Sequence, residues 1–269
     1  MKILSAKQQG FTLVELVTVI VILGIVATSI TSFLRFGTQS YTDAADRDAL
    51  ISTARFAIER LNREVRNALP NSIRTLGNSQ QCLEFTPIDQ SVTYLDIPTA
   101  PEAAHDSVEI LMLEKPLLAA TQYVSVYALN SADIYNKAPG VVEAFSSVDN
   151  SGDKQTPSTV NFSSDILFNM ESPTKRLFFI AQPVSYCIEN EQLIRYQGYS
   201  GYTAIGKPNN VGVLMADFVM NFSSVPSMTP FQTMPATLQR NGIALIRLKF
   251  VRNSEEIVFG NEIQVPNVP

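Results

Sequence analysis

Hydrophobic positions along the chain fall into three regimes. Over residues 11–34 they run almost without interruption, "FTLVELVTVIVILGIVATSITSFL", and Glu15 is the one ionisable side chain in the run. That run is longer than the roughly 20 apolar residues an α-helix needs to cross a hydrocarbon core, and it predicts a membrane-spanning helix. In the second regime Ala44, Ile51, Ala54, Ile58, Leu61, Val65 and Ala68 recur at helical intervals, while Arg55, Glu59, Arg60, Arg63, Glu64 and Arg66 take other positions. This is the pattern of an amphipathic helix with one face to bury. Glu59 with Arg63 and Arg60 with Glu64 are i,i+4 pairs that add a little support on an exposed face. Pro70 pushes Leu69 out of helical geometry, so the helix is expected to stop there. Only Gly37 and the polar "TQSYTD" after it suggest a bend or local melting within a single helix over residues 11–69.

After Pro70 the period changes to two. "CLEFTPI", "SVTYLDI", "SVEILMLE", "YVSVYAL", "RLFFIA", "VSYCIE", "QLIRYQ", "DFVMNF", "ALIRLKFV", "EEIVF" and "EIQV" read as short strands between Pro, Gly, Asn and Ser. "YCIENEQLIRY" and "KFVRNSEEIVF" read as hairpins. One antiparallel sheet laid over the apolar helix face is the economical arrangement, which makes the fold class α+β. Residues 146–165, 196–206 and 223–235 are dense in turn-formers and are expected to be surface loops. The organisation is then a leader over residues 1–10, a membrane helix over 11–34, its amphipathic continuation over 35–69 and a β-rich domain over 70–269.

Charge adds direction. Lys2 and Lys7 precede the apolar run, with no acid among the first ten residues, so the positive-inside rule keeps the leader in the cytoplasm and sends the rest outward. In an exported chain two cysteines favour a disulfide, here Cys82 with Cys187. An ordinary secretory signal is disfavoured, because its apolar core spans 7 to 15 residues and ends in a small-residue cleavage site, whereas Ala27 to Ser29 lie inside this run. A net charge of −5 and a pI near 5.0 oppose general affinity for nucleic acid. Glu15 is the anomaly, since a carboxylate at the centre of a bilayer costs roughly 2.5 to 3.5 kcal/mol on the lenient insertion scale.

"KQQGFTLVELVTVIVILGIVA" resembles the class III signal of type IV pilins and pseudopilins: a short basic leader, Gly10, Phe11, and an acid five residues after the glycine within an apolar helix. The resemblance implies that prepilin peptidase cuts between Gly10 and Phe11, methylates the new amine and leaves the helix on the mature protein. It also gives Glu15 a partner, the cationic amine of Phe11 on a neighbouring subunit. A buried pair of that kind adds little net stability, yet losing one member costs about 3 to 5 kcal/mol, so it acts as a register device. The partners implied are prepilin peptidase, other major and minor pilins, the inner-membrane pilus assembly platform and the membrane itself. The implied location is a single pass through the inner membrane with the domain in the periplasm, and then the pilus at the cell surface. An exterior domain of about 200 residues is similar in size to those of the larger minor pilins and pseudopilins. A large pseudopilin of a type II secretion system and a membrane-anchored periplasmic binding module are the alternatives. Many major pilins carry a proline about twenty residues into the mature helix, where this chain has Ser32.

Other chemistry is sparse. The single His105 and the lack of HExxH, GxSxG, Walker A or CxxC patterns point away from catalysis, and no cofactor is expected. "DNSGD" places Asp149 and Asp153 as a weak calcium candidate, suggested by the pseudopilins that bind calcium, but it lacks the distal glutamate of a full loop. Arg55, Arg60, Arg63 and Arg66 are interleaved with Glu59 and Glu64 and read as a solvated or filament-facing helix side. Tyr196, Tyr199 and Tyr202 read as a surface loop, with an adhesive face as the sharper alternative.

Overall fold

The computed structural model of the protein describes residues 12–77, 79–150, 152, 156–199, 211–223, 226–237, 240–253 and 255–266. The chain divides into two compact units, one up to Ala49 and one from Leu50 onward. Helix α1 (Leu13–Arg66) contributes to both. Its last turn tightens, with Asn67 N–H donating to the Glu64 carbonyl and Ala68 N–H to the Val65 carbonyl, each at 3.1 Å. Leu69 N–H then leaves the helix for the Thr86 carbonyl at 2.8 Å, one residue before Pro70. The expected melting around Gly37 does not occur, and residues 37–43 are helical. A single glycine costs a helix only about 1 kcal/mol. The polar residues beside it bond within the helix, Thr38 Oγ1 to the Leu34 and Arg35 carbonyls and Gln39 Nε2 to Asp43 Oδ1.

The remaining elements are β1 (Arg74–Leu76), β2 (Cys82–Phe85), β3 (Ile88–Asp96), β4 (His105–Ile110), β5 (Tyr123–Ser125), α2 (Ser131–Tyr135), β6 (Val142–Asp149), β7 (Ser158–Ile166), β8 (Arg176–Ile180), β9 (Val184–Glu189), β10 (Gln192–Gln197), β11 (Val213–Ala216), β12 (Phe231–Met234), β13 (Gly242–Arg252) and β14 (Glu255–Val265). All the paired strands are antiparallel, so the α+β class holds. The single sheet expected over the helix is replaced by two sheets and a barrel. A five-stranded sheet, β1-β2-β9-β10-β11, and a three-stranded one, β12-β13-β14, cover the helix. Leu50, Ala54, Ala57, Ile58, Leu61, Val65 and Ala68 pack with Leu83, Phe85, Tyr186, Leu193, Ile246, Leu248 and Phe250 in one core. The buried stripe keeps Ala54, Ile58, Leu61, Val65 and Ala68 of the face read off the sequence and gains Leu50 and Ala57 at its edge, while Ile51 is half-buried and Ala44 exposed.

The predicted strand "DFVMNF" is instead the stitch between the two sheets. Phe218 takes a left-handed φ of 64°, Val219 N–H donates to the Glu191 carbonyl and Met220 N–H to that of Lys249. The buried Asn221 side chain stands in for a strand neighbour: it donates to the Arg247 carbonyl at 2.7 Å and accepts from Lys249 N–H at 2.9 Å. "EEIVF" and "EIQV" merge into the unbroken β14, since Gly260 lies opposite Arg247 without turning the chain.

Between β2 and β9 the chain makes a closed six-stranded barrel, β3-β4-β7-β6-β5-β8, whose interior holds Tyr94, Ile110, Val124, Val160, Phe162, Phe168, Leu177 and Phe179. The described part of residues 146–165 is therefore mainly strand and not the expected surface loop. Most of them belong to β6 and β7, paired from Phe145↔Phe162 to Asp149↔Thr159. Half of each barrel strand faces water, so Ser and Asn alternate with the inward Val160 and Phe162 and imitate a turn-rich segment. Residues 223–235 likewise contain β12.

Candidate functional site

Two regions carry the residues singled out by sequence. The first is the start of α1. Thr12 caps it: its Oγ1 accepts from Glu15 N–H at 3.3 Å and its carbonyl from Leu16 N–H at 3.2 Å. Glu15 thus sits in the first turn, at the positive end of the helix dipole, where an anion is favoured. Beyond it the side chains form an apolar sleeve. Leu13, Val14, Leu16, Val17, Ile20, Ile22, Leu23, Ile25 and Phe33 are all exposed, and the most apolar 18-residue window has a mean hydropathy of 2.6 with none of it buried. Four hydroxyls in this sleeve bond to the helix itself: Thr18 donates to the Glu15 carbonyl, Thr28 and Ser29 to that of Ile25, and Thr31 to that of Ala27. Such a surface, its threonines bonded within the helix, can face lipid or another apolar helix. Gly10 and Phe11, the expected processing pair, lie outside the described residues.

The second region is the neck of the barrel. Cys82 and Cys187 face each other in the register of β2 and β9 and form a disulfide, 105 residues apart in sequence. Both are fully buried. The barrel begins at Ile88 and ends at Ile180, and Ala181 N–H donates to the Pro87 carbonyl at 3.2 Å, so the bridge pins the two strands from which the barrel leaves and to which it returns.

Tyr196 and Tyr199, expected on a surface loop, pack on this disulfide with Leu76. Their hydroxyls explain the burial. Tyr199 donates to Glu84 Oε1 at 2.6 Å and Tyr196 to Glu189 Oε1 at 2.9 Å. Glu84 is only 2% exposed and is paired with Arg74 Nε at 2.5 Å, and that guanidinium lies 3.6 Å from the Tyr135 ring centroid. Burial, then the bond to Glu189, pushes the Tyr196 phenol up to about 12. Burial and the charge of Glu84 push Tyr199 higher still. These two tyrosines are core residues, and Tyr202 lies outside the described residues. No local signal distinguishes them, because the acid that binds Tyr199 is 115 residues away.

The remaining candidates do not assemble into a site. Asp149 ends β6 and accepts from Asn161 Nδ2 at 2.9 Å, while Asp153 lies outside the described residues. His105 is exposed at the start of β4. Among the described residues no three His, Cys, Asp or Glu side chains are grouped to hold a metal ion. On α1 the expected Arg60–Glu64 pair forms at 3.0 Å, and Glu64 also holds Arg195 of β10 at 2.8 Å, tying helix to sheet.

With the geometry of the capped, acid-headed helix described, comparison with known families adds one match, at its start. Residues 5–31 match the prokaryotic N-terminal methylation motif. The N-terminus is type IV pilin-like. A pilin-like motif of this kind implies processing by prepilin peptidase and association with pilins, and with the apolar helix it is consistent with anchoring in the inner membrane. No curated protein and no solved structure matches the chain.

Proposed function

We propose that the chain is a minor pilin, stored in the inner membrane and extracted into a type IV pilus, with its β-rich unit in the periplasm before assembly. The observation that carries this reading is the first part of α1, residues 13–34, whose apolar side chains are uncovered on all sides and whose one acid, Glu15, sits in the first turn, inside a methylation motif. In the filament the methylated amine of Phe11 on one subunit neutralises Glu15 on another and sets the axial register. The barrel makes the exterior bulky, and bulk suits an initiating or tip complex that needs few copies better than a shaft repeated many times. The protein works by assembly on the inner-membrane platform and not by catalysis. "GFTLVELVTVIVILGI", "ALISTARFAIERLNREVRNALPNSIR" and the closing β13–β14 pair support a narrower reading, an MshO-type minor pilin of the mannose-sensitive haemagglutinin pilus, which serves adhesion.

Mass spectrometry of the mature protein should find N-methyl-phenylalanine at Phe11. Glu15→Ala should leave the protein in the membrane at normal abundance and stop its entry into pili. Normal assembly of that variant sinks the register role. Loss of protein secretion with intact pili, on deletion of the gene, points to the type II pseudopilin instead.

A further inference from the structure

In the unit that starts at Leu50, the end of α1, the outer wall of the barrel and the residue after β14 meet around a cavity of about 230 Å³. Its lining is mostly apolar, from Ala68, Pro70, Ile88, Phe178 and Pro266. Phe178 points outward on β8, since its neighbours Leu177 and Phe179 fill the barrel. Arg176, two residues earlier on the same face, also lines the cavity and donates from Nη1 to Ser91 Oγ at 3.1 Å. Arg66, in the last turn of α1, completes the lining from the other side.

Arg60, Arg74 and Arg195 each hold a carboxylate, whereas among the described residues neither Arg66 nor Arg176 takes part in an ion pair. In a protein of net charge −5, two guanidinium groups outside the described ion pairs and beside one apolar hollow define a matching ligand: an anion with an apolar group next to it. The cavity is smaller than the roughly 300 Å³ at which pockets begin to enclose whole small molecules, and it suits one side chain of a longer polymer.

We propose that this cavity binds the carboxy-terminal residue of a partner polypeptide, one with an apolar side chain. The side chain lies against Phe178 and Ile88 while the α-carboxylate takes Arg66 and Arg176. A free chain end carries carboxylate and side chain on a single Cα. An internal Asp or Glu spends its side chain on the charge and leaves the hollow to a neighbouring residue. The proposal does not rest on the filament reading and holds for either class of pilin-like protein.

The test uses the full chain in detergent micelles and three probes: acetyl-Ala-Ala-Leu with a free carboxylate, the same peptide as its amide, and acetyl-Ala-Leu-Glu amide. Binding is followed by calorimetry and by the Nε–Hε resonances of Arg66 and Arg176. The free acid should saturate and shift both resonances, the two amides should bind at least tenfold more weakly, and Arg66→Gln and Arg176→Gln should each cost the free acid about tenfold. Both arginines are exposed, so the circular dichroism of the variants should be unchanged. Equal binding of acid and amide, equal binding of the glutamate peptide, or the same shifts from sodium acetate alone overturns the proposal. So does binding that emerges only when residues 267–269 are removed, which assigns the cavity to the chain's own end.

Discussion

Glu84 shows how much of this protein is decided by single side chains meeting across long sequence separations. Its carboxylate takes Arg74 on one oxygen and the Tyr199 hydroxyl on the other, at the outer face of the sheet that holds the disulfide. Nothing around "CLEF" announces a buried acid, and nothing in "YQGYSGY" announces buried phenols. The consequence is an alkaline limit on stability. Tyr196 is held protonated up to about 12 in the folded chain, and Tyr199 and Tyr186 are pushed up further by burial, against about 10 for an unfolded tyrosine. Between those values the unfolded chain releases protons that the folded chain retains. The stabilisation is complete below pH 10 and is lost as pH rises through 12. Tyrosinate absorbance at 295 nm and urea midpoints taken from pH 8 to 12 should therefore change together, with the midpoint constant to about pH 10 and falling above it.

At the scale of elements, the amphipathic half of α1 and most of its buried stripe were legible because helical period is a local property, although the edge formed by Leu50 and Ala57 was not. Ala54 and Ala57 have no exposure, and their small side chains let the helix lie close to the sheets. Ala57→Leu should cost about 1 to 3 kcal/mol by overpacking. Phe56→Ala, one residue away but 59% exposed, should change stability by less than about 0.5 kcal/mol. Equal urea midpoints for the two variants would mean the stripe is misplaced. The strands were less legible. β6 and β7 turn one face to water, so their Ser and Asn resemble turn formers, and the segment after β11 joins the sheets through Val219 N–H on the Glu191 carbonyl and the Asn221 side chain on β13, which no strand pattern encodes.

At the scale of the whole molecule, the barrel is an insertion between two strands that pair with each other, and the disulfide sits on that pair. Without it, the strands flanking the insertion have only the sheet to hold them in register. Replacing Cys82 and Cys187 together by alanine should cost about 2 to 4 kcal/mol, below the roughly 4.7 that chain entropy alone gives a loop of this size. Urea unfolding of the double variant measures it, and an unchanged midpoint would mean that the bridge carries no stability.

What the sequence determined by itself is whatever a window of a few helical turns can hold: the membrane-length apolar run, the acid at its head, the methylation motif, the helix stop before Pro70 and the change to period two. Tertiary structure decided the rest. Closure of the barrel depends on β3 meeting β8, and burial of the phenols depends on Glu84 meeting Tyr199. An alternating strand has the same pattern in an open sheet as in a barrel, and only the pairing of distant segments distinguishes the two.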